Sequence, residues 1–157
     1  MVHSNAPLKQ EIPPKTIHIL LASDQNVWAA LDQILRHSNW RLRHVTTCRE
    51  AVAFAKDSET GVVICQQHLP DGDWTTVLTE FATLPTSPNL IVTSRLPDDI
   101  LWAEVLNLGG YDVLAQPFGR NEVFRVVSSA WRQWNDLWQP HPRFLSERDS
   151  GVGSVTD

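Results

Sequence analysis

The sequence predicts an α/β fold, a doubly wound five-stranded parallel sheet with helices on both faces, and three observations carry that prediction. Short apolar runs alternate with amphipathic stretches five times over in about 120 residues. Four of the five runs are nearly continuous in Val, Ile and Leu, the signature of strands covered on both sides. The connections are long enough for right-handed helical crossovers, which place helices on both faces of one sheet.

In chain order the strands are β1 Thr16–Ala22 (TIHILLA), β2 Arg41–Thr46 (RLRHVT), β3 Gly61–Cys65 (GVVIC), β4 Asn89–Thr93 (NLIVT) and β5 Tyr111–Ala115 (YDVLA). Arg41–Thr46 is the exception to continuous apolarity. It alternates, which suits an edge. Between the strands, Asn26–His37 (α1) carries Val27, Ala30, Leu31 and Leu35 at helical spacing. Thr47 is placed to cap Cys48–Lys56 (α2), with Glu50 completing a capping box. Trp74–Ala82 (α3), Asp98–Leu108 (α4) and Arg120–Leu137 (α5) follow, and Gly109-Gly110 stops α4 because glycine accepts the left-handed conformation of a helix end. Three prolines within residues 1–15, and a Ser/Gly/Asp-rich run over 139–157, read as disordered ends around one domain at 16–138, whose last helix is extended.

Composition narrows the function. The chain has 157 residues, 42% apolar and 20% charged, with a net charge of −5. That balance is globular. It lacks the basic stripe of a nucleic-acid binder, and no further domain is expected after residue 138. No apolar run approaches the roughly 18 residues that span a bilayer, and residues 1–15 hold no hydrophobic signal core, so a cytoplasmic protein without a membrane partner is expected. Cys48 and Cys65 lack metal-like spacing and read as two reduced thiols. No nucleophile–base pair, dinucleotide glycine fingerprint or metal-ligand cluster supports catalysis, so neither enzyme activity nor a cofactor is expected.

In a doubly wound sheet, chemistry sits beyond the carboxyl ends of the strands. Those ends hold Ser23-Asp24, Gln66, Ser94 and Gln116-Pro117-Phe118. Three segments there, ILLASDQNVW, VVICQQHLPDGDW and LNLGGYDVLAQPF, resemble the receiver domain of bacterial response regulators, the signalling module of two-component systems, over roughly residues 16–135. The resemblance implies a flavodoxin-like sheet of order 2-1-3-4-5. It also implies how each cleft position departs from the family. The acidic pair that holds Mg²⁺ falls on Ser23 and Asp24, so one carboxylate is gone. Counting four residues back from Pro70 puts the phosphoacceptor position at Gln66. The Ser/Thr after the fourth strand matches Ser94, the Lys before the proline matches Gln116, and the switch aromatic matches Val113. Pro117 corresponds to the family's cis proline.

A Gln amide supplies no carboxylate nucleophile, Asp24 alone is a poor remnant of a Mg²⁺ site, and Gln116 lacks the lysine charge. The expectation is a degenerate receiver that has lost phosphorylation, with Gln66, Ser94 and Gln116 in one neutral network that locks a single conformation. Losing these charges together avoids leaving one unpaired in the cleft. His68 is read as a solvent-facing loop residue, the alternative being a replacement phosphoacceptor. Asp71 and Asp73 are read as turn formers, the alternative being ion ligands.

Seven tryptophans are unusual for this length. Trp74, standing where the family places a small residue, is a candidate wall for a ligand in the neutral cleft. Trp131, Trp134 and Trp138 form a stripe on α5, read either as packing on the core or as a docking surface, since the helix runs past the usual end of a receiver body. With Trp102 and Val113 they are expected to put apolar surface near the α4–β5–α5 face, where receivers commonly dimerise or dock. The expected function is phosphorylation-independent binding of a protein partner or a second copy. The alternatives are a small-molecule sensor and a phosphoacceptor using another residue.

Overall fold

The computed structural model describes residues 16–138. The readings for 1–15 and 139–157 lie outside them. The strands are β1 His18–Ala22, β2 Arg41–Val45, β3 Val62–Gln66, β4 Asn89–Ser94 and β5 Asp112–Ala115, all parallel in one sheet of order β2-β1-β3-β4-β5. β2 is an edge, as its alternation indicates. The helices are α1 Gln25–Leu35, α2 Cys48–Asp57, α3 Trp74–Phe81, α4 Asp99–Leu108 and α5 Arg120–Trp138. A small antiparallel ribbon pairs His68–Leu69 with Gly72–Asp73 after β3.

Successive strand residues point to opposite faces, so each apolar run feeds two cores at once. Leu20, Ala22, Val63, Cys65, Leu90, Val92 and Val113 pack against α2, α3 and α4. Ile19, Leu21, Val62, Ile64, Ile91 and Leu114 pack against α1 and α5. Continuity of apolar sequence is the direct consequence of this two-sided burial.

Helix starts are fixed by side chains that accept orphan backbone N–H groups. Asp24 caps α1, Thr47 caps α2, Asp73 caps α3 and Asp98 caps α4. The capping box of α2 is present with a shift: Glu50 reaches back to the Thr46 N–H at 3.0 Å. Gly109 ends α4 at φ 105°, where a side chain would be strained.

Candidate functional site

The carboxyl ends of β1, β3, β4 and β5 converge at one end of the sheet, and the loops after them carry the predicted polar residues. Ser23 leaves β1 fully buried, and its hydroxyl donates to the Asp24 carbonyl at 2.8 Å. Asp24 follows as the N-cap of α1, its Oδ1 accepting the Val27 N–H at 2.9 Å. Gln66 ends β3 directly opposite this cap. Its Oε1 accepts the Asp24 N–H at 2.8 Å, and its Nε2 donates to Asp24 Oδ2 at 3.2 Å. One amide thus closes a two-point clasp across the cleft, and both Asp24 carboxylate oxygens hold a hydrogen-bond donor.

The expected three-residue network is not what forms. Gln116 donates its Nε2 to Thr93 Oγ1 at 3.1 Å, and Thr93 in turn donates to the Leu114 carbonyl at 2.9 Å. Ser94 accepts the Leu96 N–H at 3.3 Å and so serves the loop after β4. The parallel register pairs Gln66 with Thr93, which makes Thr93 the hydroxyl beside Gln66, one position before the Ser94 read from sequence. Side chains alternate along a strand, so a one-residue offset moves the hydroxyl to the other face. The cleft therefore holds two separate pairs, Gln66 with Asp24 and Gln116 with Thr93.

His44 escaped sequence reading, and Asp71 was read there only as a turn former. His44, on β2, donates Nε2 to the Ser23 carbonyl at 2.8 Å and stacks on Trp28 with centroids 5.8 Å apart. The signal was faint: His44 is simply the polar residue of an alternating edge strand. Asp71 reaches across to α2, accepting the N–H groups of Cys48 (2.7 Å) and Arg49 (3.1 Å), which hold its carboxyl below the usual carboxylate range. Asp73 is likewise held low, first by the Thr75 hydroxyl. Both aspartates act as helix caps, a wider role than turn formation. His68 is exposed on the ribbon.

The tryptophan and cysteine readings sort by burial. Trp74 is 3% exposed and belongs to the core under α2 and α3, so it walls no cleft. Val113 is fully buried, because the strand position facing α4 is interior here. Trp102 is half-buried against the same core. Trp134 is buried, closing on Gly61, and Trp131 packs on the α1–α5 core, so two thirds of the stripe serves the domain itself. Trp138 remains exposed at the end of α5. The apolar residues that do reach solvent around α4 are Leu96, Ile100, Leu106 and Leu108. Cys48 and Cys65 form no disulfide and are buried, with burial pushing the Cys48 thiol up to about 11 and the Cys65 thiol higher still.

With this geometry established, the family model for the response regulator receiver domain matches residues 19–128. The chain belongs to the receiver domain family. Comparison with curated proteins found no match. Among solved structures, the receiver domain of an HD domain-containing protein from Pseudomonas fluorescens Pf-5 is 22% identical, with a TM-score of 0.72 over 83% of this chain and 96% of that one. The receiver domain of a sensor histidine kinase from Pseudomonas aeruginosa PAO1, solved with magnesium coordinated in its active-site cleft, is also 22% identical, with a TM-score of 0.67 over 74% and 98%. The beryllofluoride-activated NtrC4 receiver dimer is 19% identical, with a TM-score of 0.68 over 74% and 98%. At these identities the likeness speaks to the fold. The receiver cleft of this chain is the one just described. Among the described residues no cluster of three acidic, His or Cys side chains could hold a metal, and no helix is long and apolar enough to cross a membrane.

The residues present do not fit the magnesium ion of the family. A hard divalent cation is held by carboxylates with water and phosphate. Here Ser23 points its hydroxyl into the Asp24 backbone, Gln66 brings an amide, and the single carboxylate is clasped by that amide and by the α1 N-terminus.

Proposed function

We propose that this receiver works in two-component signalling as a binding module without phosphorylation, and the clasp between Gln66 and Asp24 carries that reading. Phosphoryl transfer in a receiver cleft requires a nucleophilic side-chain atom there and positive charge to neutralise what builds on the transferred group. At the cleft, Gln66 offers a neutral amide already bonded at both ends, and Gln116 offers an amide bonded to Thr93. The clasp ties the β3 terminus to the α1 cap, supporting a cleft held in one arrangement. Nothing in this role calls for catalysis by the chain itself.

Output would run through the α4–β5–α5 side, where Leu96, Ile100, Leu106 and Leu108 expose apolar surface to a protein partner or a second copy. The NtrC4 receiver is a dimer when activated by beryllofluoride, which supports pairing as the use of this surface. A second reading is favoured by one observation, a cavity of about 360 Å³ between Val27, Ala30, Arg95 and Phe118 that adjoins Gln116 and would suit a small ligand.

Magnesium titration followed by NMR tests the leading reading. The Asp24 and Gln66 amide signals should stay in place through millimolar Mg²⁺. A saturable shift of both would mean that the clasp opens for the ion, and the proposal would fall.

A further inference from the structure

We infer that a second site, at the opposite end of the sheet from the cleft, binds a small organic phosphate. The parallel register sets His18 beside Arg41 and Leu20 beside Arg43. Residues two apart on a strand share a face, so these four side chains lie together on the side of the sheet that α2 covers. The C-terminal part of α2 leaves them a cavity of about 330 Å³, with Phe54 and Thr60 among its lining residues. That size is at the lower end of small-molecule pockets.

Among the described residues the charge in this cavity has no carboxylate partner. Among the described residues the one ion pair is Arg36 with Asp32, on α1, so neither Arg41 nor Arg43 has a carboxylate within 4.0 Å. Two guanidinium groups, with the His18 ring beside them, make a local concentration of positive charge in a chain whose net charge is −5. Exposed arginines on an edge strand also discourage strand-to-strand association. That role places no demand on the face they share, nor on a hollow behind them. Arg43 is already oriented, its guanidinium carbon lying 5.1 Å from the centre of the Phe54 ring. A stacked guanidinium keeps its N–H edge available for an anion.

The ligand class follows from what these groups recognise. Two planar forks lining one hollow suit a phosphoryl group, which offers several oxygens to bidentate donors where a carboxylate offers two. The cavity exceeds what a bare phosphate needs, and the Phe54 ring gives the remainder an apolar wall, so the anion should carry an apolar or aromatic body. This inference is independent of the cleft, because none of its residues belongs to the Gln66–Asp24 clasp.

Calorimetric titration of the full chain with phenyl phosphate, inorganic phosphate and phenol tests it, alongside Arg41→Gln and Arg43→Gln. Phenyl phosphate should bind saturably and at least tenfold more tightly than inorganic phosphate, and phenol should give no measurable binding. Each substitution should weaken phenyl phosphate at least tenfold, while circular dichroism and the melting temperature stay as in the wild type. NMR shifts on binding should centre on Leu20, Phe54 and Thr60. Absence of phenyl phosphate binding overturns the inference. So does equal affinity for inorganic phosphate, or binding unaffected by the two folded variants.

Discussion

Gln66 changes more than its own position, because an amide both donates and accepts where a carboxylate only accepts. That is what allows it to hold the Asp24 backbone N–H and the Asp24 carboxylate together. Gly61 shows how tightly a single residue can be constrained. A Cβ there would come within 2.6 Å of Trp134 Cε3. Gly61→Ala should therefore lower stability by about 1–3 kcal/mol in urea unfolding, the usual range for overpacking. A change within experimental error would mean that Trp134 moves aside at no cost. Asp71 gives a pH signature. Its carboxyl is held low in the folded chain by the Cys48 and Arg49 N–H groups, so its contribution is fully present above the ordinary carboxylate pKa and is lost as pH falls through the depressed folded value. Asp71→Asn should lower the melting temperature at neutral pH, and the two melting temperatures should converge in strong acid. A gap of the same size across the whole range would contradict the capping role. Gln66 was visible in sequence by its spacing from Pro70. The backbone partners of Asp71 lie 23 and 22 residues away and that of His44 lies 21 away, and they follow no local pattern.

At the scale of elements, the strands and helices were legible because burial imposes periods that survive in sequence. Two-sided burial made β1, β3, β4 and β5 continuous, and one-sided exposure made β2 alternate. Register was less legible. Nothing local distinguishes Thr93 from Ser94, and only the pairing with Gln66 assigns the inward hydroxyl. The α5 stripe left two readings open for a similar reason, since helical spacing shows that Trp131 and Trp134 share a face but not that Gly61 opens a place beneath it. α4 is the element that carries most of the proposed docking surface. It carries two acidic residues, Asp99 and Glu104, no basic ones, and exposed Ile100 and Leu106. Ile100→Glu with Leu106→Glu should leave the fold intact, since exposed substitutions usually stay within about 0.5 kcal/mol each. Association measured by sedentimentation equilibrium or partner titration should weaken at least tenfold. Unchanged association in the double variant would move the docking surface elsewhere.

For the molecule as a whole, the receiver architecture keeps its sheet order, its caps and its two cores, while the polar end of the sheet is tied by two glutamine amides, one on Asp24 and one on Thr93. The scaffold was readable because it rests on patterns repeated along the chain. The state of the cleft rests on a few side chains whose partners come from different strands. Those partners tie β1 to β3 through Gln66 and β4 to β5 through Gln116, so the end of the sheet that moves charge in a phosphorylated receiver is here bridged by hydrogen bonds. The most direct test is intact-mass spectrometry after incubation with acetyl phosphate and magnesium, with the Gln66→Asp variant beside the wild type to identify the site of any adduct. The account predicts a single unmodified mass for the wild type at every time point. A phosphoryl adduct on the wild-type chain, at any residue, would contradict it.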